Sequence, residues 1–243
     1  MISGQKTVIH PNFEVLREFI QSIPFRFDHE GTVIYKGRNE LRHYSIQGYE
    51  LIVKAYKRPV FINRIAYGFL RSSKAERAYR YALKLLKAGF KTPEPVGFIT
   101  CRQRLLFDKS FSISLKSNCP YTYKDLSAEK FSRYDEIINA IVLFTARFHE
   151  AGFLHKDYSA GNILFDDTTK EIAIEIIDLN RITFTKVGLE KGCRNFERLP
   201  AKDDTLSLMG TTYAKARGFD PDTCIRIIKK YIQIELKKRL KQS

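Results

Sequence analysis

A short polar segment of the chain carries the side chains that transfer of a phosphoryl group to a hydroxyl requires. Its sequence is His155-Lys156-Asp157-Tyr158-Ser159-Ala160-Gly161-Asn162, and an apolar run follows it. A carboxylate such as that of Asp157 can orient and deprotonate an attacking hydroxyl. Asn162, five residues later, offers an oxygen to Mg²⁺, which prefers oxygen ligands. The spacing therefore predicts a catalytic loop in which Asp157 is the general base and Asn162 a metal ligand, with His155 in a structural role.

Two further charged residues stand where the same chemistry needs them. Asp178 lies sixteen residues after Asn162 at the end of a second apolar run, and we predict that it is the other magnesium ligand. Lys54 lies in the apolar stretch 51–56, where its ammonium group is expected to reach the α- and β-phosphates of ATP. Glu76 is the only acid on the helix predicted next, and we expect it to pair with Lys54.

Taken together, these residues match in order the catalytic elements of the protein-kinase fold. Each has a structural alternative when considered alone. Asp157 and Asp178 could serve as turn or strand-end caps, Lys54 as an edge-strand lysine, and Glu76 as a solvated helix acid.

Several features differ from those of a protein kinase. The chain has no G-x-G-x-x-G loop, and the first turn is Lys36-Gly37-Arg38-Asn39 instead, so Lys36, Gly37 and Arg38 are predicted to face the phosphates. The usual Asp-Phe-Gly is replaced by Asp178-Leu179-Asn180, and Ser159 stands where Ser/Thr kinases have a lysine. Only 65 residues follow Asp178, which predicts an acceptor other than an ordinary protein segment.

Periodicity and turn signals predict an α+β, two-lobed architecture, with an N-lobe over residues 1–115 and a C-lobe over residues 116–243. In the N-lobe, helical spacing marks 12–23 and 73–88, and strand-like alternation marks 31–35, 40–44, 50–56, 96–101 and 104–115. In the C-lobe we predict a long helix over 128–150, short strands over 162–165 and 172–179, and a basic C-terminal helix. A small antiparallel sheet with one flanking helix would thus precede a reduced, mostly helical lobe.

The composition is that of a folded, water-soluble protein. Hydrophobic residues make up 44% of the 243 residues, and no apolar run approaches the roughly 18 residues of a membrane span. The N-terminal residues lack the apolar core of a secretory signal, so a cytoplasmic protein is expected. The four cysteines form no C-x-x-C pair and no zinc-ligand pattern, which predicts free thiols.

The charge is strongly positive. Lys and Arg total 42 against 27 Asp and Glu, giving a formal net charge of +15, and residues 51–91 hold eleven basic side chains and one acid. Such a balance indicates a polyanionic partner, although a solvated basic face is the alternative. The aromatic and basic segment 61–71 suits a membrane interface or, alternatively, an ordinary packed helix.

The sequence resembles the lipopolysaccharide kinase (Kdo/WaaP) family, in particular its 3-deoxy-D-manno-octulosonic acid (Kdo) kinase-like members. The resemblance covers most of the chain and rests on VKAYKRP, SKAERAYRYALKLLKAGFKTPEPVGFI, CPYTYKDL, HEAGFLHKDYSAGNILF, IIDLNRI and residues 194–199. It implies a kinase-like fold, ATP and Mg²⁺, and a sugar hydroxyl of the lipopolysaccharide inner core, on Kdo or heptose, as acceptor. It also implies the same roles for Asp157, Asn162, Asp178 and Lys54.

Two other functions fit parts of the pattern. A small atypical kinase or ATPase in a nucleic-acid complex would suit the basic charge, and a non-catalytic pseudokinase scaffold would suit the fold. Retention of the four catalytic positions argues against the scaffold. We therefore expect an anionic glycolipid acceptor of the Kdo-lipid A type, no nucleic acid, and peripheral association with the anionic inner face of the bacterial inner membrane.

Overall fold

The computed structural model of the protein describes residues 4–57, 72–103, 106–128 and 131–241. The predicted interfacial segment 61–71 lies outside these residues. The chain divides into two compact units: Met1–Lys87 with Thr92–Ser117, and Ala88–Lys91 with Asn118–Ser243.

The first unit is built on a six-stranded antiparallel sheet with the strand order β1-β5-β6-β4-β3-β2. Its strands are β1 Gly4–Ile9, β2 Thr32–Lys36, β3 Glu40–Ile46, β4 Tyr49–Tyr56, β5 Pro95–Gln103 and β6 Leu106–Leu115. The meander β2-β3-β4 agrees with the three strands predicted from the turn signals. Strand β1 was not predicted, because only its last three residues are half-buried and its exposed first half is polar like a loop.

A two-residue turn joins β3 to β4 and fixes the register of this hairpin. Gln47 and Gly48 both have positive φ values, 50° and 81°, as two-residue hairpin turns that match the strand twist require. The register that follows places Lys54 of β4 between Leu41 of β3 and Ser112 of β6.

Helices cover both faces of the sheet. Helix α1 (Arg17–Arg26) follows a 3₁₀ turn at Pro11–Leu16, where one continuous helix was predicted, and contributes Ile20 and Ile23 to the larger core. Helix α2 (Lys74–Lys87) packs on the other face, where Ala75 and Tyr79 meet Tyr56 and Phe98. Because strand side chains alternate, Lys54 shares the α2 face with Tyr56.

The second unit is mostly helical. Its helices are α3 Asp125–Ala128, α4 Tyr134–Glu150, α5 Leu189–Arg194, α6 Asp203–Arg217 and α7 Pro221–Leu240. Its strands are β7 Tyr121–Thr122, β8 Phe153–His155, β9 Ile163–Asp166, β10 Ala173–Ile176 and β11 Ile182–Phe184. They form one three-stranded sheet in the order β10-β9-β7 and one two-stranded sheet of β11 and β8.

Helix α4 forms the centre of this unit's core. Ile137, Ile138, Ile141 and Val142 are all buried on it, as the apolar spacing predicted. Phe90 packs edge-on against Phe144, Phe148 and Phe153. This aromatic cluster ties residues 88–91 to the second unit although their neighbours in sequence belong to the first.

The predicted helix over 128–150 is wrong at its beginning. Helix α4 begins at Tyr134, and α3 is a separate short helix that ends at Ala128. Arg133 lies at the start of α4 and donates to the backbone carbonyls of Asp167, Thr169 and Lys170. It thereby holds the β9–β10 turn, a tertiary role that helical spacing does not reveal.

None of the four cysteines, which all lie in the described part of the chain, forms a disulfide bond. Within the residues that the structure describes, no helix has the length and apolar character of a membrane span.

Candidate active site

The predicted catalytic loop connects β8 to β9 and is fixed by backbone and imidazole contacts. His155 is buried, and its Nε2 donates to the Ile177 carbonyl at 3.0 Å while Nδ1 accepts from the Asp157 amide at 3.1 Å. Burial holds the pKa of His155 below its ordinary value. A neutral imidazole with both nitrogens engaged orients the loop, which supports the structural role expected for this histidine.

Asn162 closes the loop on Asp157. Its side-chain nitrogen donates to the Asp157 carbonyl at 2.8 Å, and its backbone carbonyl accepts from the Ile177 amide at 3.0 Å. The amide nitrogen is therefore committed as a donor to the loop, which leaves the side-chain oxygen as the Asn162 group that can serve as a cation ligand.

Asp178 follows β10 in a backbone conformation that few non-glycine residues adopt. Its φ and ψ are 59° and 48°, in the left-handed region. Such conformations cost free energy and concentrate at functional sites. The Asn180 side chain donates to Asp178 Oδ1 at 2.5 Å, so the carboxylate is held in place four residues before β11 begins at Ile182.

The structure adds two arginines that the sequence did not assign to the site. Arg198 Nη1 contacts Asp157 Oδ1, and Arg181 Nη1 lies 3.3 Å from Asp157 Oδ2. The Asp157 side chain is only 18% exposed, whereas those of Arg198 and Arg181 are 36% and 50% exposed. The candidate base is thus a half-buried carboxylate with a guanidinium group on each oxygen.

A buried hydrogen-bond network holds the His155 end of the loop. His149 Nε2 donates to Asn195 Oδ1 at 2.9 Å, and Asn195 Nδ2 donates to the His155 carbonyl at 3.0 Å. On the other side of the ring, Tyr213 donates its hydroxyl to His149 Nδ1 at 2.9 Å. This assignment requires a neutral His149, and burial lowers its pKa to about 4.

Arg198 and Asn195 come from the stretch 194–199, to which the sequence assigned no chemistry. Their partners lie about forty positions earlier in the chain. Local periodicity in the sequence does not reveal contacts between residues so far apart. The recurrence of Arg-Asn-Phe-Glu-Arg-Leu in the family resemblance was the only signal that could have drawn attention to them.

The nucleotide-binding candidates lie in the first unit. Lys54 lies on β4 with its Nζ 5.4 Å from the centre of the Tyr56 ring. Lys36 is the last residue of β2, and Gly37 and Arg38 lie in the β2–β3 connection, where the Gly37 amide donates to the Asn39 carbonyl at 3.1 Å. The Asn39 side chain in turn accepts from the Lys57 amide at 3.3 Å, which joins this turn to the end of the strand that carries Lys54.

Glu76 lies on the first turn of α2, as predicted. Ser73 caps this helix by accepting from the Glu76 amide at 3.0 Å, so the two residues form the S-x-x-E sequence of a capping box. The Glu76 carboxylate is 3.9 Å from both Lys6 Nζ and Arg80 Nη1. Its pairing with Lys54 stays a prediction.

A sheet-based unit, a helical unit and a loop with residues of these types are features of the protein-kinase-like fold. The chain belongs to the lipopolysaccharide kinase (Kdo/WaaP) family, whose model matches residues 36–205, and it is a kinase. No curated protein sequence matches the chain.

Solved structures show the same fold at low sequence identity. WaaP in complex with acyl carrier protein is 14% identical, has a TM-score of 0.64, and is matched over 97% of this chain and 98% of its own. The Rio2 kinase–ADP/Mg²⁺–phosphoaspartate complex from Chaetomium thermophilum is 12% identical, with a TM-score of 0.50 over 95% of this chain and 78% of its own.

Proposed function

We propose that the protein transfers the γ-phosphoryl group of ATP to a sugar hydroxyl of the lipopolysaccharide inner core, on Kdo or heptose attached to lipid A. The observation that carries this proposal is the match of residues 36–205 to the lipopolysaccharide kinase family. The geometry around Asp157 supports it, because the loop presents a carboxylate whose backbone and side chain are held by neighbours on both sides.

Asp157 is the general base in this proposal. Its carboxylate accepts a hydrogen bond from the acceptor hydroxyl and takes the proton as the new oxygen–phosphorus bond forms, while the bond between the γ-phosphorus and the β,γ-bridging oxygen breaks and ADP leaves. Asn162 and His155 fix the backbone of Asp157 through its carbonyl and its amide, so the carboxylate meets the hydroxyl in a defined orientation.

Asn162 and Asp178 are the proposed magnesium ligands. Both offer oxygen atoms, the donor type that Mg²⁺ selects, and one or two protein ligands completed by phosphate oxygens are usual for this ion. Among the described residues no cluster of three or more His, Cys, Asp or Glu side chains forms a metal site. When bound, ATP supplies the phosphoryl group and Mg²⁺ neutralises charge on its phosphates.

Lys54, Glu76 and the turn residues Lys36, Gly37 and Arg38 form the proposed nucleotide-binding set. Lys54 would contact the α- and β-phosphates, and Glu76 would orient it. Two cations and a glycine in the β2–β3 turn suit phosphate groups, because the glycine has no side chain and the cations offset phosphate charge.

Association with the anionic inner face of the membrane is the second part of the proposal. The end of α7 combines exposed cations with exposed apolar side chains, and Leu236 and Leu240 are 49% and 77% exposed. The exposed cations at this end are Lys237, Lys238, Arg239 and Lys241, and Lys230 is exposed in the middle of the helix. Such a surface suits a lipid interface, where each Lys or Arg contributes about 1 kcal/mol.

A panel of acceptors tests the proposed activity. The purified protein is incubated with Mg²⁺ and ATP and with Kdo-lipid A, heptosylated Kdo-lipid A, or lipid A without Kdo, and each product is analysed by mass spectrometry. We expect one added phosphate on the sugar of an acceptor that carries Kdo or heptose, and none on lipid A alone. Phosphate transfer to none of these acceptors, with ATP hydrolysis that responds to added RNA, would support the nucleic-acid alternative instead.

A further inference from the structure

The surroundings of Asp157 carry more positive charge than a catalytic base requires. Arg198 and Arg181 contact its two carboxylate oxygens. Glu235 of α7 lies 3.9 Å from Arg198 Nε and is itself paired with Arg239 at 3.2 Å. Three guanidinium groups therefore share two carboxylates, and the cluster keeps one net positive charge.

We propose that Arg181 and Arg198 recognise an acidic group of the acceptor, a carboxylate or a phosphate, that lies a few bonds from the hydroxyl being phosphorylated. This inference rests on the proposed function, in which Asp157 receives that hydroxyl. It identifies the two residues that select an acidic sugar over a neutral one.

The geometry favours recognition over a purely structural ion pair. Arg198 donates to Asp157 through Nη1, and Arg181 Nη1 lies 3.3 Å from the same carboxylate, whereas a guanidinium group carries five N–H donors arranged to bind carboxylate or phosphate. Both side chains are substantially exposed, so solvent and an acceptor can reach them while Asp157 is held. Arg198 Nε is buried and makes no hydrogen bond within the described part of the chain, so the contact with Glu235 does not saturate this side chain.

The backbone fixes where these guanidinium groups stand. Arg198 is paired with Ser159 of the catalytic loop through an isolated parallel β-bridge. The Arg181 carbonyl accepts from the Lys156 amide at 3.3 Å. Both arginines are thus attached to the loop that carries the base, and a hydroxyl on Asp157 would place a neighbouring acidic group within their reach.

Ser159 leaves the loop without a cation at a position where Ser/Thr kinases have one. Ser/Thr kinases have a lysine at this position, and the loop here has a neutral side chain instead. The positive charge in contact with the Asp157 carboxylate comes from Arg198 and Arg181, which lie 41 and 24 positions beyond Asp157. Both arginines belong to segments outside the loop, and their side chains are 36% and 50% exposed, so an acceptor bound at Asp157 can contact them.

The test measures binding of sugars, in the presence of Mg²⁺ and a non-hydrolysable ATP analogue, by isothermal titration calorimetry. The probes are Kdo, its carboxamide, a hexose phosphate and the corresponding neutral hexose. We expect the wild-type protein to bind an acidic sugar about 10- to 100-fold more tightly than its neutral counterpart, as charge-assisted hydrogen bonds contribute. Comparison of the two acids identifies whether carboxylate or phosphate is preferred.

Arg181→Gln and Arg198→Gln should each remove most of this preference. Arg194→Gln is the matched control, because this substitution removes the same charge from a residue that pairs with Glu197 and makes no contact with Asp157. If Arg198→Gln does not fold, the half-exposed Arg181→Gln still decides the question. In turnover assays both variants should raise the acceptor KM more than they lower kcat.

Two results would overturn the inference: a wild-type protein with no preference for acidic sugars, or the full preference in both variants. A fall in kcat alone, with unchanged acceptor binding, would likewise assign the arginines to orientation of Asp157. If acidic sugars bind as expected but Kdo-lipid A is not phosphorylated, the proposed function fails and the acidic-group inference stands.

Discussion

Asp178 has a left-handed backbone conformation at the end of an apolar strand, and its proposed role as a magnesium ligand predicts a specific loss. Asp178→Ala should abolish the enhancement of ATP binding by Mg²⁺, since the metal then lacks its only proposed carboxylate ligand. Binding of a fluorescent ATP analogue is measured with Mg²⁺ and with a chelator. Asp167→Ala, in the β9–β10 turn at the opposite end of that hairpin, is the control; equal metal dependence in Asp178→Ala and the wild type would exclude Asp178 as a ligand.

His149 gives a prediction for stability against pH. Its pKa is lowered to about 4 by burial, against about 6.5 in an unfolded chain. The unfolded state therefore binds the proton first as the pH falls below 6.5, so folding stability is full above that pH and declines towards pH 4. Between pH 6.5 and 5 this single histidine should cost about 2 kcal/mol.

Urea unfolding at pH 7.5 and pH 5 measures this loss. In His149→Gln the decline over the same interval should be smaller by about that amount, because the variant has no proton to gain at this position. Buried His155 also has a lowered pKa and should keep part of the slope in the variant. An identical slope in both proteins would show that His149 is not held neutral in the folded state.

At the level of elements, the crossing of α6 and α7 depends on Gly210. A Cβ at this position would lie 2.8 Å from the Ile225 Cα and 2.9 Å from its amide nitrogen, so the backbones of the two helices would have to separate. Gly210→Ala should therefore lower the free energy of unfolding by about 1–3 kcal/mol, as overpacking does, despite the better helix propensity of alanine.

Thermal and urea unfolding compare this variant with Thr211→Ala, which lies on the exposed side of the same helix. We expect the control to change stability by less than about 0.5 kcal/mol. A Gly210→Ala protein as stable as the wild type would mean that α6 and α7 are not packed as closely as the structure has them.

The elements also show what the sequence could predict. Helix α2 was predicted within one residue because a strong amphipathic pattern is bounded by Ser73 and by Gly89, whose φ is 81°. The loop from His155 to Asn162 follows from residue types at fixed spacing. Both signals are local, so a single sequence contains them.

The missed features depend on distant parts of the chain. Strand β1 is stabilised by pairing with β5, whose paired residues lie 88 to 98 positions later, and its own residues carry little alternation. Asn195 and Arg198 reach the catalytic loop across about forty positions. Their roles follow from tertiary contacts, and no pattern of spacing within the chain encodes those contacts.

At the scale of the whole molecule, the net charge of +15 predicts binding to anionic membranes. The triple variant Lys237→Glu, Lys238→Glu, Lys241→Glu should reduce co-sedimentation with vesicles containing anionic lipid, and wild-type binding should fall with rising salt.

The matched control changes Lys170, Lys186 and Lys202 to Glu, which alters the net charge equally at exposed positions outside α7. This protein should keep most of its binding, because the proposed surface joins cations with exposed apolar side chains at the end of α7. Equal losses of binding in both variants would mean that only the net charge matters. Binding that is insensitive to lipid charge and salt would exclude the proposed association with an anionic membrane.

In the proposed activity the protein phosphorylates a sugar of the lipopolysaccharide inner core with Asp157 as base. The most direct measurement follows labelled γ-phosphate from ATP into Kdo-lipid A for the wild type and Asp157→Asn, with ATP affinity determined for both. We predict transfer by the wild type and a loss of about 10²- to 10⁴-fold in the variant, with ATP affinity nearly unchanged. Equal turnover by the two proteins, or no transfer by the wild type to any inner-core acceptor, would contradict the claim.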